Sequence, residues 1–374
     1  MKTNVKTDGK LIKSVLAILS FVIIFVLGVT SLTYMVRTNG DTKNRFMGFY
    51  AEPKDSLDIV MIGSSPTYSS CVSPQLYGEY GIKAYPLASN VQRPVAGLYL
   101  TKESDKTQSP KLYMYEMRMY VGIEEGLISN MAYTREVTDN MKYSRNRNDA
   151  IRAMIGDMVE AYGYADDMYT YYFDIFKYHS NWTSLIHGSQ WASWRYTRLD
   201  PNKGYKITDK VGPTETPVIN ANAEPGELDK HQEQALHDLL SYLKEQGHEA
   251  LFYVSPYKLA EGDAEKFAHI KEEVEAAGFA YLDMNQYLDE MQINFSEDFS
   301  DYGIHTNAVG ARKCTLFLGK YLRDNYELPN HREGELYDDR SWLEAYELWK
   351  SQYADAEKMI AERIENEDWT ILEE

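Results

Sequence analysis

Two short motifs, far apart in the chain, carry residue types that could act together on an ester. Ser64 and Ser65 follow the apolar run LDIVMIG, and His305 lies in the polar segment SEDFSDYGIHTNAVGARK, four residues after Asp301. A serine placed where a strand gives way to a helix exposes its Oγ and holds its backbone N–H where an oxyanion is stabilised. A neutral imidazole can take the serine proton if a carboxylate holds its other ring nitrogen. The pair predicts a nucleophilic serine, although each motif alone is also typical of a turn or a helix cap.

These residues need a scaffold that brings distant segments together, and the apolar pattern predicts one. Short apolar runs recur at DIVMIG, IKAYPLAS, KLYMYEMRMYV, ALFYVSPY and FAYLDMN, and helix-forming segments lie between them. Such alternation is typical of a parallel sheet covered by helices on both faces. Ligands of open parallel sheets bind at the carboxyl ends of the strands. We therefore expect an α/β fold of three layers, α/β/α, with Ser65 at the end of the first strand.

A long uncharged run near the start of the chain predicts a membrane span. Residues 14–36, SVLAILSFVIIFVLGVTSLTYMV, contain no charged side chain. At a rise of ~1.5 Å per residue they extend about 34 Å, enough to cross a hydrocarbon core of roughly 30 Å. The run is longer than the core of a cleaved signal peptide and lacks an A-x-A-like site. We interpret it as an uncleaved signal anchor, with residues 1–13 in the cytoplasm and the body of the protein outside it.

The rest of the chain divides into further predicted segments. The segments are a linker at 37–56, the α/β domain at 57–328, an aromatic-rich helical insertion within it at about 123–200, and an acidic helical tail at 329–374. We expect the insertion to form a lid or a wall facing the substrate.

Together the two motifs resemble the SGNH/GDSL hydrolase superfamily. Gly63-Ser64-Ser65 after the first strand and Asp-x-x-x-His-x-Asn-x-x-Gly before the last helix carry the resemblance. The phrase DIVMIGSSPTYSSCVSP is similar to the membrane-anchored branch that includes the D-alanyl transfer protein DltD and the alginate O-acetylation proteins. The resemblance covers roughly residues 45–125 and 225–328, and it implies a flavodoxin-like three-layer fold.

The resemblance also implies roles for individual residues. Ser65 is the expected nucleophile, His305 the general base and Asp301 the carboxylate that orients it. The segments LASNVQRP and YEMRMY correspond to the second and third sequence blocks of the superfamily. They supply the residues expected at the oxyanion hole or the substrate, which are Ser89, Asn90, Gln92, Glu116 and Arg118.

By the same resemblance, the expected reaction is acyl transfer through a serine ester. The expected substrates are an acyl donor and a cell-envelope polymer, such as a teichoic acid or an acetylated polysaccharide. The resemblance implies a membrane-bound O-acyltransferase as partner and no cofactor. An esterase acting on small soluble esters has the same sequence features.

Three differences from the family pattern favour an alternative function. Pro66 replaces a histidine of the membrane-anchored branch, the spacing from Asp301 to His305 is one residue longer than usual, and no G-x-N-D follows the third strand. The alternative is a catalytically inactive protein of the same fold that binds glycan or scaffolds an envelope assembly.

Charge and cysteine content exclude other classes. The formal net charge is −18; residues 1–45 contribute seven Lys/Arg and two Asp/Glu, which leaves −23 on the remainder. An acidic body repels nucleic acid, whose binding depends on Lys and Arg. Cys71 and Cys314 are the two cysteines, too few for a thiolate metal site. They could form a disulfide in an exported domain, but two buried free thiols are the favoured interpretation, and the spacing of the remaining residues predicts no metal ligands.

Overall fold

The five strands form one parallel sheet. The computed structural model describes residues 6–186, 188–332 and 339–371, so parts of the predicted cytoplasmic segment and of the tail lie outside the described residues. The strands are β1 (Ile59–Gly63), β2 (Ala84–Ala88), β3 (Leu112–Glu116), β4 (Ala250–Val254) and β5 (Ala280–Asp283). Their spatial order is β2-β1-β3-β4-β5, and every neighbouring pair is parallel. The predicted parallel α/β fold is confirmed, and this strand order is that of flavodoxin-like sheets.

Helices before and between the first strands connect the N-terminal segment to the sheet. They are α1 (Lys6–Val36), α2 (Asp41–Ala51), α3 (Ser65–Ser69), α4 (Ser73–Tyr80) and α5 (Ala96–Ser104). The inserted segment contains α6 (Glu124–Ile128), α7 (Met131–Thr138), α8 (Arg145–Ala161), α9 (Tyr169–Tyr172), α10 (Ile175–Tyr178) and α11 (Gly188–Trp191). The remaining α-helices are α12 (Lys230–Gln246), α13 (Asp263–Ala276), α14 (Leu288–Met291), α15 (Ala308–Asn325) and α16 (Arg340–Glu365). Short 3-10 helices occupy Arg118–Val121, His179–Ile186 and Met284–Tyr287.

Alternate residues of each strand pack into two separate cores, because successive side chains of a strand point to opposite faces. In β1, Val60 and Ile62 contact the core built with α5, α12 and α13. Ile59 and Met61 contact the core built with α4 and α15. The molecule therefore has three layers, with helices on both faces of the sheet.

Two segments predicted as peripheral are packed against the domain. The predicted linker, residues 37–56, contains α2, whose Phe46 and Phe49 are fully buried. In the predicted tail, Trp342 of α16 is buried and its ring centroid lies 5.7 Å from that of Tyr77. Both segments are rich in charged residues, which masks the few large apolar side chains that attach them.

Both cysteines are buried and free. Burial raises the pKa of Cys71 to about 12, and burial also raises the pKa of Cys314. The thiols are therefore protonated at neutral pH, and the favoured interpretation of two buried free thiols is confirmed.

The apolar N-terminal helix is exposed along most of its length but enters the domain at its end. The helix over residues 9–36 is long and apolar enough for a membrane span or a signal sequence, with a mean hydropathy of 2.8 over its most apolar 18 residues. Its last turn is buried, and the following Arg37 donates from Nε to Asp174 Oδ2 at 2.6 Å. The rings of Tyr34 and Tyr196 lie 4.7 and 5.4 Å from the Arg37 guanidinium carbon. The end of α1 is thus part of the folded core.

We predict that Arg37→Ala destabilises the protein by about 3–5 kcal/mol, because removing one partner of a buried ion pair leaves the other charge uncompensated. The measurement is urea unfolding of the full chain in detergent micelles, followed by tryptophan fluorescence. Lys54→Ala removes an exposed pair with Asp55 at 3.7 Å and is the control, with an expected change below about 1 kcal/mol. Equal unfolding midpoints for the two variants would contradict a structural role for the Arg37 pair.

Candidate active site

A tight turn between β1 and α3 presents Ser65. Ser64 is the extended residue that precedes α3, Ser65 is the first helical residue, and Pro66 follows it. Proline fits the first turn of a helix because the N–H that it lacks has no partner there. Gly63 is required at the end of β1, since a Cβ would lie 2.4 Å from Thr67 Oγ1 and 2.7 Å from Glu116 Cβ.

The loop that carries His305 is held in shape by its own backbone. Tyr302 and Gly303 adopt positive φ angles of 58° and 93°, which turn the chain back between Asp301 and His305. The Ser300 N–H donates to His305 O at 2.8 Å. These two turned residues absorb the extra residue in the Asp–His spacing, so the longer spacing does not separate Asp301 from His305.

Further contacts join this loop to α15 and α3. Asn307 caps α15, and its Oδ1 accepts from the N–H groups of Val309 and Gly310 at 3.1 and 3.2 Å. Thr306 Oγ1 donates to Ser69 O, at the end of α3, at 3.1 Å. The loop and the serine turn are thereby fixed relative to each other.

The structure brings the three predicted catalytic residues into one hydrogen-bonded chain. His305 Nε2 lies 2.7 Å from Ser65 Oγ, across 240 residues of sequence. Asp301 Oδ2 lies 2.6 Å from His305 Nδ1, and its Oδ1 accepts from the His305 backbone N–H at 2.6 Å. The side chains of His305 and Asp301 are 27% and 22% exposed, so the site is open to solvent. Donor geometry of this kind fixes the imidazole ring for proton transfer with the serine.

The residues predicted after β2 follow a strand end that adjoins the serine turn, and they differ in their contacts. Ala88 is in register with Gly63, which places Ser89 beside Ser64. Ser89 is fully buried, and its Oγ has no hydrogen-bond partner among the described residues; the same holds for Gln92 Oε1. Ser89 is the first residue after β2, whereas Gln92 comes three residues later. Ser89 is therefore the better placed of the two to approach Ser65.

Asn90, the remaining predicted residue of this segment, is already engaged. Its Nδ2 donates to both carboxylate oxygens of Glu136 at 2.9 and 3.0 Å, and its Oδ1 accepts from the Tyr68 hydroxyl. The Asn90 side-chain amide could donate a hydrogen bond to an oxyanion only after Glu136 moves away. The structure therefore gives Asn90 a contact that the sequence did not predict.

The residues predicted after β3 form hydrogen bonds that support the histidine loop. Arg118 Nη1 donates to Ile304 O, next to His305, and Nη2 donates to Ser255 Oγ at 2.9 Å. Glu116 is buried and accepts from Ser255 Oγ at 3.0 Å. Burial raises the pKa of Glu116, against the lowering effect of the Arg118 charge. Arg118 is thus placed to hold His305 in position, and its contact with an oxyanion or substrate stays a prediction.

Sequence reasoning missed Tyr68 and Glu136. Burial raises the pKa of Tyr68 to about 12, although the Arg45 charge and a hydrogen bond with Ser65 lower it. The phenol is therefore a neutral donor beside Ser65. Tyr68 lies three residues after Ser65, a helical spacing that could have identified it. Glu136 comes from the insertion, and no local pattern links it to the serine.

Among the described residues, one group of side chains has its potential ligand atoms close enough together to hold a metal ion. Ligand atoms of Glu233, His237 and Glu273 lie within 4.8 Å of one another on α12 and α13. His237 Nε2 pairs with Glu233 and with Glu273, each at 3.1 Å. Hydrogen bonds between the exposed His237 and the two half-buried glutamates account for this arrangement, and the group does not belong to the site at Ser65.

The fold and the site together define a serine–histidine–aspartate arrangement at the carboxyl edge of a flavodoxin-like sheet. No protein-family model and no curated protein matches this chain. The function therefore has to be argued from the geometry.

We predict that Arg118→Met slows the reaction of Ser65 with a fluorophosphonate about 10- to 100-fold, because a loop displaced by about 1 Å misaligns His305. The measurement is the labelling rate of the folded full chain. Arg118→Lys, which retains a donor, is expected to recover part of the rate. Wild-type labelling by Arg118→Met would show that the loop does not depend on this bond.

Proposed function

We propose that this chain is a membrane-anchored serine acyl-hydrolase or O-acyltransferase, with its catalytic domain outside the cytoplasm. The observation that carries the proposal is the continuous chain from Ser65 Oγ through His305 to Asp301, at 2.7 and 2.6 Å. A buried carboxylate or an isolated histidine occurs in many structural contexts. Nucleophilic acyl transfer requires a serine hydroxyl bonded to an imidazole that is bonded in turn to a carboxylate, and the three groups have this order at the end of β1.

The residues support a two-step reaction. In the first step, Ser65 Oγ bonds to the acyl carbonyl carbon while His305 Nε2 takes the serine proton. The tetrahedral intermediate then expels the alcohol of the donor, which receives that proton from His305, and leaves an acyl ester on Ser65. In the second step, water or a sugar hydroxyl gives its proton to His305 and attacks the ester. Ser65 leaves with the proton, and Asp301 stabilises the imidazolium in both steps.

Two donors are proposed for the oxyanion. The Ser65 N–H opens α3, so no carbonyl of that helix can accept it. The Ser89 hydroxyl is the second candidate, because it is buried next to the serine turn without a partner among the described residues. Preorganised donors aimed at a developing oxyanion supply several kcal/mol of transition-state stabilisation, on the order of 3–4 kcal/mol for one donor.

The end of α1 supports an uncleaved anchor. Tyr34, Met35 and Val36 are buried in the domain, so cleavage after the apolar run would remove part of the core. Lys2, Lys6, Lys10 and Lys13 precede the run, which favours a cytoplasmic N-terminus and an extracytoplasmic domain.

Helix α2, which follows the anchor, packs at the edge of the sheet that holds the site, and this favours a substrate at the membrane surface. Arg45 of α2 donates from Nη1 to Ala88 O, at the end of β2, at 3.0 Å. Its guanidinium carbon lies 3.6 Å from the Tyr68 ring centroid. An acyl donor and an envelope polymer, a teichoic acid or an acetylated polysaccharide, are the proposed substrates, and a membrane-bound O-acyltransferase is the proposed partner.

We expect a fluorophosphonate probe to label the wild-type protein and to label neither Ser65→Ala nor His305→Ala, because both variants lack an activated serine. The full chain in detergent is used, since the end of α1 belongs to the core. Labelling is read by gel fluorescence and located by mass spectrometry.

Ser64→Ala is the matched control. It removes the neighbouring hydroxyl, which is buried without a partner among the described residues, and should be labelled like the wild type. A folded wild type that resists the probe would contradict the enzyme and make glycan binding the function to assay.

A further inference from the structure

We propose that a helical collar around the end of α1 rests in the lipid interface of the outer leaflet. The collar comprises residues 175–186 and 188–194, which contain α10, the 3-10 helix His179–Ile186 and α11. The inference rests on the proposed membrane span of α1, and it does not depend on acyl transfer by Ser65.

The collar packs directly on the last turns of the anchor. All three of its helices contact α1. Asn181 Nδ2 donates to Val36 O at 3.0 Å, and Ser193 Oγ lies 3.3 Å from Tyr34 O. The collar is therefore fixed where the anchor leaves the bilayer.

The length of the free helix places the bilayer surface at the collar. Residues 9–28 of α1 are exposed, whereas residues 29–31 are half-buried and 33–37 are buried. Only residues 14–28 of the uncharged run are therefore free of the domain, and at ~1.5 Å per residue they extend about 22 Å. A hydrocarbon core of roughly 30 Å is longer by about 8 Å. When the charged Lys10 and Lys13 stay outside the hydrocarbon core, the turns of α1 that contact the collar supply the missing length.

The collar presents the side chains that such a position requires. Large apolar side chains are exposed on the collar and at the position two residues before it. They are Phe173, Phe176, Trp182, Ile186, Trp191 and Trp194. Tryptophan and other aromatic rings concentrate at the boundary between headgroups and acyl chains. Isolated exposed apolar residues are ordinary, but a cluster beside a membrane span indicates contact with lipid.

The collar and the five residues after it carry a net positive charge, whereas the rest of the domain is acidic. Residues 175–199 contain no Asp or Glu, although the chain has 57 of them, and they include Lys177, Arg195 and Arg198. All three are exposed, and the Arg195 guanidinium carbon lies 4.3 Å from the Trp194 ring centroid. A surface that combines exposed aromatic rings with cations fits an anionic phospholipid leaflet.

The test is site-directed spin labelling of the full chain in nanodiscs of phosphatidylcholine and phosphatidylglycerol. Ile186→Cys labels the collar at a side chain that is 85% exposed, so the substitution should not disturb folding. Val218→Cys labels an apolar side chain that is 98% exposed outside the collar. Because Cys71 and Cys314 are buried, they should not react with the label. Accessibility to oxygen and to a water-soluble nickel complex reports the depth of each label.

We expect the label at residue 186 to be several-fold more accessible to oxygen than to the nickel complex. We expect the reverse for the label at residue 218. A label on Phe25→Cys, in the middle of the exposed part of α1, tests the span separately. Lipid contact at 25 with an aqueous signal at 186 overturns the collar proposal and leaves the anchor intact. An aqueous signal at 25 overturns the span and the collar together, and fluorophosphonate labelling of Ser65 remains an independent test of the enzyme.

Quenching by brominated lipid gives a second measurement without added labels. We expect Trp182→Phe to reduce the quenched fraction of tryptophan fluorescence, and Trp369→Phe, outside the collar, to leave the lipid-quenched signal in place. Equal quenching of the wild type and Trp182→Phe would count against lipid contact by the collar.

Discussion

The position of His305 is the constraint on which the site depends. Its ring must lie within hydrogen-bond distance of a serine that is 240 residues away in the chain. The sheet order creates the opportunity, because the chain leaves β1 towards β2 on one side and later adds β3 on the other, which opens a crevice at the end of β1. The loop enters this crevice and is bonded there by Thr306 to α3 and by Arg118 to the end of β3. A loop of this length would otherwise sample many positions, and these few buried bonds select one.

Buried polar networks support the site on both sides of the serine. Glu116, Ser255 and Arg118 form a connected set behind the histidine loop, at the ends of β3 and β4. Glu116 binds Ser255, Ser255 binds Arg118, and Arg118 binds Ile304 next to His305. We therefore expect the loss of one of these residues to change the position of His305. On the other side of the serine, Tyr68, Asn90 and Glu136 form a second set that reaches into the insertion. The insertion is thus coupled to the serine turn through Asn90.

Buried contacts join the apolar N-terminal helix to the edge of the sheet that holds the site. Arg37 joins the end of α1 to Asp174 of the insertion, and Arg45 joins α2 to the end of β2 and to Tyr68. These contacts leave little freedom between α1 and the serine turn. For the proposed acyltransferase, a tether of this kind would raise the effective concentration of a membrane-bound substrate at Ser65.

The sequence by itself determined the features that depend on local pattern. Apolar runs at strand length predicted all five strands, and the uncharged run of 23 residues predicted α1, because both signals arise from burial of contiguous side chains. The positions of Ser65, Asp301 and His305 beside predicted elements, together with the resemblance of their motifs to a known superfamily, predicted that the three residues belong together. Tertiary structure alone decided that Arg118 supports Ile304, that Asn90 is bound by Glu136, and that the predicted linker is the packed helix α2. Those outcomes depend on contacts between segments far apart in the chain, and no periodicity within one segment encodes which distant group will satisfy a buried charge.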